Sequence, residues 1–248
     1  MAARICVVVC AAILLASCGG SSDDEELLVF AAASLSGAFT ELASTFEEAN
    51  PDVSVQLNFA GSSSLREQVL AGAPADVVAL ANPATMEALI AASAVDAPVV
   101  IARNEVLLGV PADNPADVAD IGELANNPGL FVGVCAVDVP CGQAARALVD
   151  RSELEILFDS EEPDARALAT KLAEAEFDAA FVYRSDVVAN DRIAEVPLDA
   201  AVLESTEYPL AVTADADDLA MAFAEFVLSD DGQAVLIEFG FAPAEASS

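Results

Sequence analysis

Ser34 stands where an apolar run, Leu28 to Phe30, meets an amphipathic segment, and there the chain first brings together groups that could do chemistry. Leu28, Val29 and Phe30 read as a buried strand, and Ala31, Ala32 and Ala33 let another backbone or a ligand come close. From Leu35 the large apolar residues recur as Leu35, Phe39, Leu42 and Phe46, opposite Glu41, Glu47 and Glu48. This is the stripe of a half-buried helix, ended by Asn50-Pro51. A strand that feeds a helix through a serine aims free backbone N–H groups, a hydroxyl and the positive helix end in one direction. That is an anion site in outline. Taken alone, the simpler reading of Ser34 is a helix N-cap.

A second junction repeats the pattern. Val53 to Phe59 alternates apolar and polar residues as a strand does and runs into Gly61-Ser62-Ser63-Ser64. Ser64 with Glu67 predicts a capping box for a helix from Leu65 to Leu70, which leaves Ser62 and Ser63 free for another task. In a parallel sheet both strand ends lie along one edge. A third junction, Cys135-Ala-Val-Asp-Val-Pro-Cys141-Gly142, leads from a strand at Leu130 to Val134 into a helix from Pro140 to Val149.

The elements that must position these junctions alternate along the chain. Strands are expected at Asp76 to Leu80, Asp178 to Val182, Ile193 to Pro197 and Tyr208 to Thr213. Helices are expected at Pro83 to Ser93, Ala119 to Asn126, Glu162 to Glu176, Leu219 to Leu228 and Gln233 to Phe239. Alternation of this kind gives an α/β fold with mostly parallel sheets flanked by helices. Val99 to Ala102 and Val106 to Pro111 read as two strands with no helix between them, a direct link by which the chain crosses into another lobe. The expected organisation is therefore a discontinuous first lobe of residues 27–104 and 208–248 and an inserted second lobe of residues 105–207.

Composition sets the compartment and excludes several partners. Met1 to Arg4, an apolar run from Ile5 to Ala16 and Leu15-Ala16-Ser17-Cys18-Gly19 read as a secretory signal over residues 1–17 with a lipobox, Cys18 becoming a lipidated N-terminus. Residues 18–26 then form an acidic tether; ordinary secretion after cleavage nearby is the competing reading. Without Cys6 and Cys10, and with Cys18 lipidated, Cys135 and Cys141 are left as an even pair outside the cytoplasm. A disulfide is their natural state, and a metal site lacks the histidines or second cysteine pair to complete four ligands. The formal net charge of -33 repels phosphates, which argues against nucleic acid and anionic membrane surfaces as partners. The carboxylates lie scattered, without a calcium-loop pattern.

In order along the chain, VFAAASL (29–35), FAGSSSL (59–65), AGAPADV (71–77), VPCG (139–142), VYRSD (182–186), YPLAV (208–212) and FGF (239–241) resemble the periplasmic molybdate-binding proteins of ABC importers, over nearly the whole mature chain. The resemblance implies a two-lobe periplasmic-binding-protein fold of type II, closing on a tetrahedral oxyanion in the interlobe cleft. It implies a monomeric protein without a cofactor that hands molybdate, or tungstate, to a permease and its ATPase subunit. Carried over residue by residue, Ser34 and Ser62 give hydroxyls and backbone N–H groups, Tyr183 matches the tyrosine of the VY phrase, and Cys141, where alanine is frequent, gives a backbone N–H. Ala165 stands where a valine N–H is usual, in a looser phrase, EPDARAL. The cysteine pair departs from the family pattern and is expected to stiffen its loop.

A serine hydrolase is the alternative from another class. A serine nucleophile needs an adjacent base, and the chain has no histidine, a single lysine, Lys171, outside any S-x-x-K context, and no G-x-S-x-G elbow. Within the binding class, sulfate and phosphate are the rival ligands. No arginine falls in the contacting phrases except Arg66 and Arg184, which follow them and are expected to point outward. The sequence thus predicts a site of neutral donors with no acceptor, able to reject protonated phosphate.

Overall fold

The computed structural model describes residues 25–244. The signal segment, Cys18 and most of the expected tether lie outside them. The tether's last two residues do not: β1 (Glu25–Ala32) already includes Glu25 and Glu26, paired with Val53 and Ser54. After a 3-10 turn at Ala33–Leu35 come α1 (Ser36–Ala49), β2 (Val53–Ala60), α2 (Ser62–Leu70), β3 (Val77–Ala79) and α3 (Pro83–Ala91). β1 pairs in parallel with β2 and β3, so both strands that end in serine junctions point the same way. The expected stripe of α1 is buried at Phe39, Leu42 and Phe46, and Phe39 and Phe46 meet Phe223 edge to face.

The two strands expected between residues 99 and 111 are one, β4 (Val99–Pro111), with an irregularity between Val100 and Ala102. The polar residues Arg103 to Glu105, which read as a break, stay in the ladder because they pair with Glu207 to Ser205 of a later strand. The chain continues through α4 (Gly122–Asn126), β5 (Val132–Cys135), α5 (Pro140–Ser152), β6 (Ser160–Glu162), α6 (Ala165–Ala173), β7 (Ala179–Tyr183), α7 (Arg184–Val188) and β8 (Ile193–Val196). It closes with β9 (Glu204–Val212), α8 (Asp218–Leu228), α9 (Asp230–Glu238) and β10 (Ala242–Pro243).

Strand order is β2-β1-β3-β9-β4-β7-β5-β6. The outer ladders are parallel, and the long β4 and β9 run antiparallel to each other through the middle. β4 meets β9 along its first half and β7 and β8 along its second, so one strand serves two halves of the molecule. Their cores are separate. One is built from residues within 106–196, the others from residues within 27–102 and 208–241.

Helix α6 starts later than expected. Pro163 holds Glu162 extended, Glu162 pairs with Cys135 in β6, and Asp164 caps the helix by accepting from the Ala167 N–H. Among the described residues no helix is long and apolar enough to cross a membrane.

Candidate oxyanion site

Every junction singled out in the sequence reaches one small cavity. Ser34 comes from the turn after β1, Ser62 from the start of α2, Cys141 and Ala165 from the first turns of α5 and α6, and Tyr183 from the end of β7; all five line it. Its volume of about 10 Å³ admits the centre of about one water-sized sphere, the scale of an inorganic ion and far below an organic ligand's site. Ser62, Cys141 and Ala165 occupy first-turn positions, where backbone N–H groups have no intrahelical acceptor. Three helix starts therefore converge on the cavity with their positive ends.

The hydroxyls are set by what lies behind them. Ser62 is 2% exposed, and its Oγ accepts from the Ala81 N–H at 2.9 Å, which leaves its proton for the cavity side. Ser34 Oγ lies 2.9 Å from the Tyr208 hydroxyl, with either atom able to donate. The N-cap reading of Ser34 fails, because neither the 3-10 turn nor α1 has a side-chain cap. The capping box at Ser64 fails too. Gly61 is the N-cap of α2, with no side-chain cap bond, and Ser64 sits exposed within the helix, accepting from Gln68 Nε2 at 3.3 Å. The Ser63 hydroxyl donates to the Asp138 carbonyl at 2.7 Å.

The loop that presents Cys141 is braced. Cys135 and Cys141 are joined by a disulfide with Cα atoms 5.7 Å apart. Arg146 Nη1 donates to the carbonyls of Cys135 and Gly142, its other end pairs with Glu161, and its guanidinium covers the Phe158 ring. Gly142 is required here, since a Cβ would fall 1.9 Å from the Ala136 carbonyl oxygen.

Tyr183 lines the cavity, and Tyr208 packs against Tyr183. Tyr183 and Tyr208 are both buried and meet edge to face, and Phe241 packs on Tyr208. Burial, and then the neighbouring Tyr208, raise the Tyr183 phenol well above its usual pKa; its hydroxyl is buried without a hydrogen-bond partner. Burial likewise raises Tyr208. Beside them, burial pushes the Asp186 carboxyl up to about 7, opposed by the Tyr183 N–H it accepts at 2.9 Å and reinforced by the charge of Asp164.

No lysine or arginine lines the cavity. Arg66 pairs with Glu67, and Arg184 with Glu105 and Glu195, outside it. The expected absence of any acceptor does not hold: Asp164 lines the cavity, with Oδ1 engaged by the Ala167 N–H. Sequence reasoning missed Asp164 because it placed the helix start at Glu162-Pro163. An aspartate directly before an apolar helical stripe was the available signal. In the sequence Tyr208 reads as a strand residue and as the start of the YPLAV phrase, without a side-chain role, and nothing local marks it as the partner of Ser34.

The profile of the family described as bacterial extracellular solute-binding protein matches residues 27–242. The chain belongs to this family. This solute-binding protein is 35% identical to the molybdate-binding protein ModA of Mycobacterium tuberculosis over 217 residues, 86% of this chain and 83% of that one. Its fold is shared with the periplasmic molybdate-binding protein of Azotobacter vinelandii, at 17% identity and a TM-score of 0.76, covering 88% of this chain and 100% of that one. It is shared as well with the sulfate-binding protein SubI of Mycobacterium tuberculosis, at 19% identity and a TM-score of 0.74, covering 89% and 88%. The solute-binding fold thus accommodates more than one oxyanion.

Proposed function

We propose that this chain captures molybdate, with tungstate as a second substrate, outside the cytoplasm and delivers it to the permease and ATPase subunits of an ABC importer. The observation that carries this reading is the convergence of Ser34, Ser62, Cys141, Ala165 and Tyr183, drawn from five separate junctions, on one ion-sized cavity. In the proposed complex the Ser34 and Ser62 hydroxyls and the N–H groups of Ser34, Ser62, Cys141 and Ala165 replace the hydration shell of a tetrahedral dianion. The unpartnered Tyr183 hydroxyl supplies a further donor.

The separate cores and the crossing strands β4 and β9 favour two lobes, residues 27–104 with 208–248 and residues 105–207, closing as a monomer over the anion. Cys18 anchors the protein to the membrane through lipid. Catalysis is not part of this role. A serine nucleophile would have no histidine to activate it, and Lys171 is paired with Glu162 away from the cavity.

Sulfate is the second reading, favoured by the fold shared with a sulfate-binding protein. Titration calorimetry with molybdate, tungstate, sulfate and phosphate separates the two. The expected result is saturable binding of molybdate and tungstate well above the rivals; preference for sulfate would overturn the assignment.

A further inference from the structure

The rim of the cavity carries contacts that no ligand role explains. Ser63 follows Ser62, Asn82 follows Ala81, Asp138 precedes Val139 and Gln143 lies two residues past Cys141; none of the four lines the cavity, yet all flank residues that do. They pair across the two halves. Ser63 Oγ donates to the Asp138 carbonyl at 2.7 Å, and Asn82 Nδ2 donates to Gln143 Oε1 at 3.1 Å. The Asn82 amide has no freedom to reverse, because its Oδ1 caps α3 by accepting from the Thr85 N–H at 2.9 Å. Between these bonds the halves touch: a Cβ on Gly61 would lie 3.0 Å from the Pro163 carbonyl oxygen and 3.8 Å from Val139.

We infer that Ser63 and Asn82 are latch residues, whose hydrogen bonds to Asp138 and Gln143 hold the two halves closed and so set how slowly a bound oxyanion escapes. The inference rests on the oxyanion reading of the cavity. An anion held between Ser34 and Ser62 on one half and Cys141, Ala165 and Tyr183 on the other loses one set of contacts when the halves part, and parting breaks both bonds. In the open form water satisfies the same groups, so each bond contributes only its net worth to closure. A ligand that prefers the closed form gains apparent affinity in proportion to that form's population. Since the anion meets the open form, the latch acts on release rather than on encounter. Ser63 is buried and its bond is the stronger; the Asn82 bond is exposed and worth less.

Stopped-flow measurement of molybdate association and release, on the exported protein with its disulfide intact, tests this. Ser63→Ala is expected to speed release roughly two- to tenfold with association unchanged. Gln143→Ala, which leaves the α3 cap untouched, should speed it less, the double variant more than either, and Ser63→Thr, which keeps the hydroxyl, should restore slow release. Wild-type release rates in both Ser63→Ala and the double variant, or slower association with release unchanged, would overturn the latch. If Ser63→Ala fails to fold, Gln143→Ala carries the test alone, and wild-type release from it then overturns the latch. Failure of the wild-type protein to bind molybdate would instead overturn the ligand assignment. The latch is then decided by repeating the release measurement with whichever of tungstate, sulfate or phosphate the wild-type protein binds: it stands if Ser63→Ala releases that anion faster than wild type and falls if the two are alike.

Discussion

In the proposed complex Ser62 accepts from the Ala81 N–H on one side and donates to the anion on the other, and that double duty separates it from Ser34. Removing its hydroxyl deletes a donor to the anion and also strands the buried Ala81 N–H. Ser62→Ala is therefore expected to weaken molybdate binding by roughly 1.5 to 3 kcal/mol, about ten- to a hundredfold, and to lower folding stability by about 1 to 3 kcal/mol. Ser34→Ala should show a similar loss of affinity, and the group it leaves without its partner is the Tyr208 hydroxyl rather than a main-chain N–H. Calorimetric titration beside thermal denaturation reads both effects, and unchanged affinity in both variants would place the site elsewhere. Asp186 supplies a pH signature. Its carboxyl titrates near 7 in the folded protein, against about 3.9 when unfolded, so between those values the native state holds the extra proton. The contribution of Asp186 to stability accordingly falls as pH rises from about 4 to about 7 and is level outside that window. Asp186→Asn, which still accepts from the Tyr183 N–H, should gain stability over wild type progressively across that range. A difference in melting temperature that stays constant from pH 4 to 7 would contradict the desolvation of this carboxyl.

The β5–α5 loop is braced by a covalent bridge and by the Arg146 guanidinium. A disulfide closing so short a loop is worth roughly 2 kcal/mol by chain entropy, and Arg146 adds two hydrogen bonds to the same loop from behind. Since the proposed ligand contact at residue 141 is main chain, side-chain identity matters only through the bridge. Cys141→Ala is expected to keep molybdate binding within about tenfold while losing stability of that order. Affinity lost beyond measurement, in a variant that still folds, would show that the bridge itself shapes the site. β4 makes a related point about elements. Its polar middle residues stay in the ladder because β9 lies opposite them and because Arg103 pairs with Glu207 and Arg184 with Glu105.

The whole molecule opposes its proposed cargo. A formal charge of -33 surrounds a cavity lined by no cationic side chain. Long-range attraction therefore cannot speed capture, and the favourable field is confined to helix starts and hydroxyls at contact range. Raising inert salt should leave the molybdate association rate unchanged or increase it, as screening removes repulsion. A steep fall of that rate with salt would reveal a cationic funnel that the geometry lacks. Asp164 bears on selectivity at this scale as well. An acceptor on the wall means that exclusion of protonated phosphate cannot rest on an absence of acceptors.

Local chemistry carried much of the reading where neighbours in sequence are neighbours in space, although the local caps expected at Ser34 and Ser64 did not form. The apolar spacing of α1, the alternation in β2, the proline at the start of α3 and the cysteine pair across the α5 junction are all set within a few residues. So were the junctions at Ser34, Ser62 and Cys141, because a strand stopping at a helix start is a local event. What only the tertiary structure decided was the use of each polar group once distant segments met. Ser62, Ser63 and Ser64 look alike in sequence; one accepts from Ala81, one donates to Asp138 and one faces solvent, because each points a different way from the same helix turn. Tyr208 lies 174 residues from the serine it supports. The continuity of β4, the short β6 and the place of Asp164 on the cavity wall depend likewise on partners far along the chain, since ladder pairing and burial are properties of the assembled sheet and not of any window of sequence.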